Sequence, residues 1–420
     1  MAGTGRGENS LDVVIIGAGI GGLALGLMLQ RAGIACRIYE STPELKAVGV
    51  GINILPHASR ELVALGLEDA LTKVGVITRE YCFYNRFGNF IYNEPAGRYA
   101  GYDVPQFSIH RGDLQMVLLD AFIARAGAAR VVTGWRCTGV DTDTGAAHFV
   151  DAASGKRLES QRGSVVVSCE GIHSVLRKQH YPDEGAPKYA GINMWRGVTR
   201  WPPMLSGASM VRIGWHRPAK LLLYPIRNAI DAAGRQLFNW VVDIETEQYQ
   251  PNDWNRPGKL ADFIGVLEDW KFDWLDVPRF IRSADRILEY PMVDRDPLPR
   301  WNFGRLTLLG DAAHPMYPRG ANGAAQAILD ARALADALNA HADSLAALKA
   351  YEDRRLPATR DVVLANRRAP PDAILQEVYR RTGDAPFKSI DDVISREELV
   401  ALSESYKRVA GYDQARLRAR

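Results

Sequence analysis

Apolar and polar positions along the chain fall into two regimes. At 13–16, 165–168 and 306–309 the apolar runs are short and nearly unbroken, and those at 13–16 and 306–309 meet a glycine and then pass into helical periodicity. Such runs suit strands buried on both faces of a parallel sheet, with helices crossing between them. Residues 11 to about 75 predict strand, helix, strand, loop and helix, and residues 79–92 alternate around Arg86-Phe87-Gly88-Asn89 as a hairpin would. A helix should open near Arg111, a strand cover 130–133, a hairpin run to about Gly163, and a strand at 165–168 feed Glu170-Gly171. From about 185 to 290, period two takes over at 191–199, 208–215, 220–226 and 237–243, where most of the tryptophans also lie. That predicts an antiparallel sheet with two helices. Residues 303–340 return to strand, loop and helix. A helical pattern runs from 344 to about 368, Pro370-Pro371 break it, and a polar helical tail follows. Residues 1–10 read as disordered.

The expected fold class is α/β: a Rossmann-like nucleotide domain interrupted by an antiparallel-sheet domain, with C-terminal helices. Residues 1–75, 105–184 and 290–368 would make the nucleotide domain. Residues 76–104 and 185–289 would make the sheet domain, of the kind that walls a substrate pocket, and 369–420 the helical tail.

Two segments carry the chemistry. Gly17, Gly19 and Gly22 follow the run 13–16 in the spacing G-x-G-x-x-G. Gly17 allows the tight turn, Gly19 lets a pyrophosphate approach the backbone, and Gly22 lets helix and strand pack closely. The phosphates would meet free N–H groups at the positive end of the helix dipole. Glu40 ends the next run, about 20 residues on, where a carboxylate accepts hydrogen bonds from a ribose diol. It would repel a 2′-phosphate, so the resident ligand should be FAD or NAD rather than NADP. Far along the chain, Gly310-Asp311 follows the run 306–309 and leads through a glycine-bearing loop into another helix. The pair of segments points to FAD, which makes the interrupted domain an FAD-binding one.

Composition narrows the partners. The chain has 420 residues, 47% hydrophobic and 24% charged, with a net charge of +3. The length favours two domains, and the charge gives no reason to expect nucleic acid. The uncharged stretch 13–29 is interrupted by glycines and slightly short for a membrane span. Glu8 and Asp12 precede it, unlike a signal peptide. A cytosolic protein is expected, with no membrane partner. The four cysteines are scattered and read as buried thiols, and no histidine spacing suggests a metal.

Together with Glu170-Gly171, the two segments resemble the fingerprints of the single-component flavoprotein aromatic hydroxylases, the para-hydroxybenzoate hydroxylase family. Residues 48–54, 108–112, Met194-Trp195-Arg196-Gly197 and 290–299 extend the likeness over most of the chain. Within the family it leans towards phenazine-carboxylate monooxygenases. The resemblance implies FAD held at Gly17, Gly19, Gly22, Val50, Gly51 and Glu170, with Glu40 on the adenosine ribose. It implies Arg111 between flavin chain and pyrophosphate, Val132 at the adenine through its backbone, and Asp311 at the ribityl or pyrophosphate. Gly323, Ala324 and Ala325 would place helix N–H groups at the flavin pyrimidine edge, where reduced flavin is anionic. The substrate pocket would draw on Arg196, Tyr224, Tyr317, Pro318 and Arg319, with the Pro318 carbonyl at the oxygen-reaction site. The chain departs from the family at Glu170, usually Asp, at Lys46, often Arg, at Ala325, often Asn, and at Arg319, an added cation.

The resemblance also implies the reaction. NADH or NADPH would dock transiently, since one dinucleotide fold is already taken by FAD. Oxygen would be activated as a flavin C4a-hydroperoxide and transferred to an electron-rich aromatic carboxylate. Carbon dioxide would leave if the attacked carbon carries the carboxylate. The cofactor does the hard chemistry, so no acid, base, nucleophile or metal is required of the chain. The chain would act as a monomer or homodimer. Plainer readings stand beside these. Asp311 could cap a turn, and His314 reads as structural. Trp195, Trp215 and Trp240 read as sheet core, Arg196 could be a surface cation, and His57 could start a helix near the flavin. The halogenase signature W-x-W-x-I-P is absent. A flavin-dependent reductase of a hydrophobic substrate and a non-catalytic nucleotide-binding regulator remain as alternatives.

Overall fold

A computed structural model describes residues 11–247, 256–368 and 372–418. The expected disorder of 1–10 and the break at Pro370-Pro371 lie outside the described residues. A six-stranded sheet orders its strands Asn302–Phe303, Leu306–Leu308, Val165–Ser168, Asp12–Ile16, Ala35–Tyr39 and Val131–Val132. All neighbours are parallel except the first pair. The central strands are apolar at consecutive positions because both faces are covered. On one face the helices Ile20–Arg31, Arg111–Ala126 and Gly323–Ala340 bury Leu23, Leu118, Phe122 and Ile328 against Val13, Ile15 and Val167. On the other, the strands Trp135–Asp141, Ala146–Asp151 and Gln161–Arg162 form a meander that buries Val140 and Phe149 against Val14, Ile16 and Val166.

The second sheet has seven strands, in the order Ala284–Asp294, Lys188–Trp201, Gln236–Glu245, Ala219–Arg227, Ser209–Trp215, Glu80–Tyr84 and Phe90–Pro95. The expected hairpin is therefore part of this sheet, joined to it by the one parallel pairing, Ser209–Trp215 with Glu80–Tyr84. Two helices were expected here; among the described residues there is one α-helix, Val277–Arg282, with 3₁₀ turns at Leu260–Asp262 and Ile264–Leu267. Gly258 and Gly265 weaken helix propensity in that stretch, and the turns still bury Phe263 and Leu267. They cover the outer face of the sheet, where Trp195 and Trp240 lie in the core. Trp215 is only partly buried.

The other face of this sheet turns towards the glycine loops. Strand register fixes which residues share it. Met194 and Lys220 flank Asp243, and Arg196 and Leu222 flank Val241. A small sheet of Gly51–Ile54, Phe107–His110 and Val76–Ile77 completes the junction. The C-terminal helices Ala373–Thr382 and Arg396–Ala410 are not loose: Ile374, Leu375, Val378 and Leu399 bury against Tyr81, Phe83, Ile91 and Tyr92 of the same chain. No helix among the described residues is long and apolar enough to cross a membrane.

Candidate active site

One cavity of about 360 Å³ runs from the first glycine loop to the inner face of the seven-stranded sheet. The three glycines divide their work. A Cβ on Gly17, whose φ is +104°, would stand 2.5 Å from the Cys169 carbonyl oxygen. A Cβ on Gly22 would stand 2.0 Å from the Gly17 oxygen. Both therefore shape the turn. Gly19 lines the cavity, and a Cβ there would meet nothing within 4 Å. That is open space over a helix N-terminus, as a pyrophosphate requires.

Glu40 stands at the end of Ala35–Tyr39. Its Oε2 accepts from the Ala18 N–H at 2.9 Å, and its Oε1 accepts from the Thr42 N–H and hydroxyl, both at 2.8 Å. Burial pushes this carboxyl upward, but those hydrogen bonds and one from Ser41 outweigh it and hold it below the usual carboxylate value. Glu40 is thus an ionised acceptor beside the glycine turn. The Val132 carbonyl accepts from the Glu40 N–H at 2.9 Å, which keeps the edge strand alongside.

Arg111, Gly51, Asp311, Gly323 and Ala324 line the middle of the cavity. The Arg111 N–H donates to Val50 O at 2.9 Å, and the Gly51 N–H donates to Asn239 Oδ1 at 2.8 Å. Val50 itself does not line the cavity but ties the Gly49–Gly51 loop to Arg111. Asp311 faces the cavity with protein around its other sides. Desolvation raises its carboxyl above the ordinary value, and the nearby His314 and Arg111 pull the other way. The helix Gly323–Ala340 begins without a side-chain cap, so its first N–H groups are free for a ligand at Gly323 and Ala324. Ala325 is fully buried beneath them. An open glycine turn and an uncapped helix start along one cavity fit FAD; Glu40 and Val132 stand beside the turn but do not line that cavity.

Glu170 does not reach that cavity, although Cys169 and Gly171 do. Its Oε2 accepts from the Ser168 and Ser174 hydroxyls, both at 2.8 Å, and from the Leu176 N–H at 3.3 Å. The extra methylene lets the carboxylate fold back and brace the start of Val175–His180. His314 lies 2.5 Å from Asp330, which also accepts from Arg355 and from the Gly310 N–H. His314 therefore pins the loop after Gly310. His57 is buried and stacks on Tyr412, away from the cavity.

At the far end, Arg196, Tyr224, Pro318 and Arg319 line the wall with Met194, Leu222, Val241 and Met292. Tyr317 sits behind this wall, packed with Ile192 and Met292, its ring 5.7 Å from the Arg319 guanidinium carbon. Burial pushes the Tyr224 hydroxyl up to about 12, against the nearby Arg196 and Arg212 cations. Arg196 reaches the Gly51 carbonyl at 3.4 Å. Among the described residues, no carboxylate lies within ion-pair distance of Arg196 or Arg319, and neither Nε has a hydrogen-bond partner.

Four charged wall residues escaped the sequence reading: Arg212, Lys220, Asp243 and Asp372. Lys220 Nζ lies 2.8 Å from Asp243 and 2.5 Å from Asp372, and Arg212 lies 3.1 Å from Asp372. The available signal was a charge inside each period-two run, at 212, 220 and 243. Asp372 comes from the segment expected to be a tail, and no local pattern could have brought it here.

Comparison with known proteins agrees with this geometry. A family model described as an FAD binding domain matches residues 10–229 and 289–366. The phenazine 1,6-dicarboxylic acid hydroxylase PhzS of Lysobacter antibioticus is 42% identical over 95% of this chain and 97% of its own. The 3-amino-4-hydroxybenzoate 2-monooxygenase PtmB3 of Streptomyces platensis is 32% identical over 84% and 86%. Among solved structures, Klebsiella pneumoniae HpxO with FAD and uric acid has the same fold, with a TM-score of 0.70 at 23% identity, over 97% of this chain and 95% of that one. The chain belongs to the FAD binding domain family and is a single-component FAD-dependent aromatic monooxygenase.

Proposed function

We propose that the substrate is an aza-aromatic carboxylate of phenazine size, hydroxylated at a carbon that bears a carboxylate. The observation that carries this reading is the pair of guanidiniums, Arg196 and Arg319, which face the cavity beside Met194, Leu222, Val241 and Met292 without a carboxylate partner among the described residues, while the neighbouring wall cations, Arg212 and Lys220, are paired with Asp243 and Asp372. Unpaired cations in such a place suit an anionic ligand, and arginine binds carboxylates through a planar fork. The relative at 42% identity is named for a phenazine dicarboxylic acid.

In this reading Gly19, Arg111, Asp311 and the start of Gly323–Ala340 hold FAD, and Val50, Glu40 and Val132 keep their surroundings in place. Bound FAD would supply two-electron transfer from NADH or NADPH and the activation of oxygen. Met194, Leu222, Val241 and Met292 keep water from the reacting ring. Arg196 and Arg319 orient it by its carboxylates, and Pro318 borders the space between ring and cofactor. One oxygen atom enters the ring as hydroxyl and the other leaves as water, while the carboxyl group leaves as carbon dioxide. Residues 1–75, 105–184 and 290–368 serve as the cofactor part, and 76–104 and 185–289 as the substrate part. Incubation with phenazine-1,6-dicarboxylate under ¹⁸O₂ should give a product with one labelled oxygen and one carboxyl fewer. A labelled product that keeps both carboxyls would replace the decarboxylative reading with simple ring hydroxylation.

A further inference from the structure

The cationic wall has two parts of different chemistry. Arg196 and Arg319 carry unbalanced charge, whereas Lys220 is balanced twice over. Its ammonium sits between Asp243 and Asp372, and Asp372 also serves Arg212. Two cations and two anions thus form a closed set, all at least nine-tenths buried. A second carboxylate placed there would face two aspartates already in position. A neutral acceptor would not. An ammonium has three N–H donors, and two of the Lys220 donors have carboxylate partners. One donor is left on a side chain that is 4% exposed and lines the cavity.

Register gives the spacing. Lys220 and Asp243 pair directly, and Leu222 and Val241 pair two residues along, with Arg196 opposite Val241. The Lys220 row and the Arg196 row therefore lie one pleat repeat apart, about 7 Å along the strands. The two residues also stand on strands two apart, about 10 Å across the sheet, and since both line the cavity their side chains reach in from these positions towards the two ends of a fused aromatic acid whose carboxylate sits on Arg196.

We propose that Lys220 is a specificity-determining residue, donating its third N–H to an uncharged acceptor of the substrate ring system, a ring nitrogen, with Asp243 and Asp372 fixing the ammonium in place. This rests on the aromatic-carboxylate reading of the same cavity. It assigns the discrimination between aza-aromatic and all-carbon rings to one side chain. Burial lowers the ammonium's affinity for its proton, but the two aspartates outweigh it and raise the pKa of Lys220, so the donor persists at neutral pH.

The test is equilibrium binding to the FAD-loaded, oxidised full chain, followed by the change in flavin absorbance. The probes are phenazine-1-carboxylate and anthracene-1-carboxylate, which differ by C–H in place of ring nitrogen. The unaltered protein should prefer the phenazine acid at least about tenfold. Lys220→Met should bring the ratio to about one through loss of phenazine binding. Because that change strands two carboxylates, the double variant Lys220→Met, Asp243→Asn is measured beside it. It keeps the Arg212–Asp372 pair, and full FAD content checks its fold. The same collapse of the ratio is expected. An undiminished ratio in the double variant, or equal binding of both acids to the unaltered protein, overturns the assignment and leaves the carboxylate reading intact. If neither acid binds, the substrate reading falls and this assignment falls with it.

Discussion

The Tyr406 hydroxyl lies directly over Gly320, so closely that a Cβ on Gly320 would stand 1.9 Å from it. The hydroxyl accepts from Asn322 Nδ2 at 2.7 Å and donates to Asn366 Oδ1 at 2.7 Å. A helix near the C-terminus is thereby tied to the loop that carries Arg319 and precedes Gly323–Ala340. Gly320 also has φ +77°, where a side chain is strained. Gly320→Ala should displace this loop, lower FAD retention and increase peroxide release per NAD(P)H consumed. Tyr406→Phe leaves Asn322 and Asn366 short of a buried partner and should cost about 1–3 kcal/mol. Denaturant unfolding of the two variants checks this, and an unchanged midpoint for Tyr406→Phe would remove the tie.

The glycine turn allows cofactor binding to be separated from folding. Gly19→Ala meets no protein atom within 4 Å, so circular dichroism should be unchanged while the bound FAD falls more than about tenfold. Gly22→Ala drives a Cβ into the Gly17 carbonyl oxygen at 2.0 Å and should yield little folded protein. If the Gly19 variant keeps its full yellow colour, the pyrophosphate does not lie over that turn.

Arg196 and Arg319 should matter to substrates that carry carboxylates. Arg196→Met should raise KM about 10- to 100-fold, from about 1.5–3 kcal/mol for a charge-assisted hydrogen bond. The carboxamide analogue should be affected far less. Steady-state kinetics on the acid and amide pair measures the difference. An equal effect on both would mean that Arg196 supports the wall rather than binding an anion.

His216 gives the fold a pH dependence. Burial, then the Lys220 and Arg319 cations, depress its imidazole from 6.5 to about 2, against a smaller pull from Asp372. The folded state therefore keeps it neutral where the unfolded chain protonates. Stability is full above pH 6.5 and falls as pH drops below it, by about 1.4 kcal/mol per unit from this group. Between pH 6.5 and 5 the loss is about 2 kcal/mol. His216→Gln should flatten that slope in denaturant titrations. A slope unchanged by the substitution would assign it to other groups.

Much of the fold was legible because it rests on local pattern. The runs at 13–16 and 165–168 read as strands and the periods at 220–226 and 237–243 pointed to the sheet, but which face each residue takes is set by strand pairing. Of the residues named from sequence, Gly19, Arg111, Asp311, Arg196, Tyr224, Pro318 and Arg319 come together on one cavity. Glu170 was named for the cofactor by its motif, but one methylene and two serines at 168 and 174 turn it inward. Lys220 read as the polar start of a strand. Its partners Asp243 and Asp372 are set by pairing and by packing over 152 residues of chain, which no local pattern records.

The most direct measurement is NAD(P)H oxidation by the FAD-loaded protein in air, with and without phenazine-1,6-dicarboxylate, with hydrogen peroxide assayed in parallel. Strong stimulation with little peroxide, and hydroxylated product matching the NAD(P)H consumed, is the expected result. No stimulation by this acid or by smaller aromatic carboxylates would contradict a pocket built around Arg196 and Arg319 for an aromatic anion.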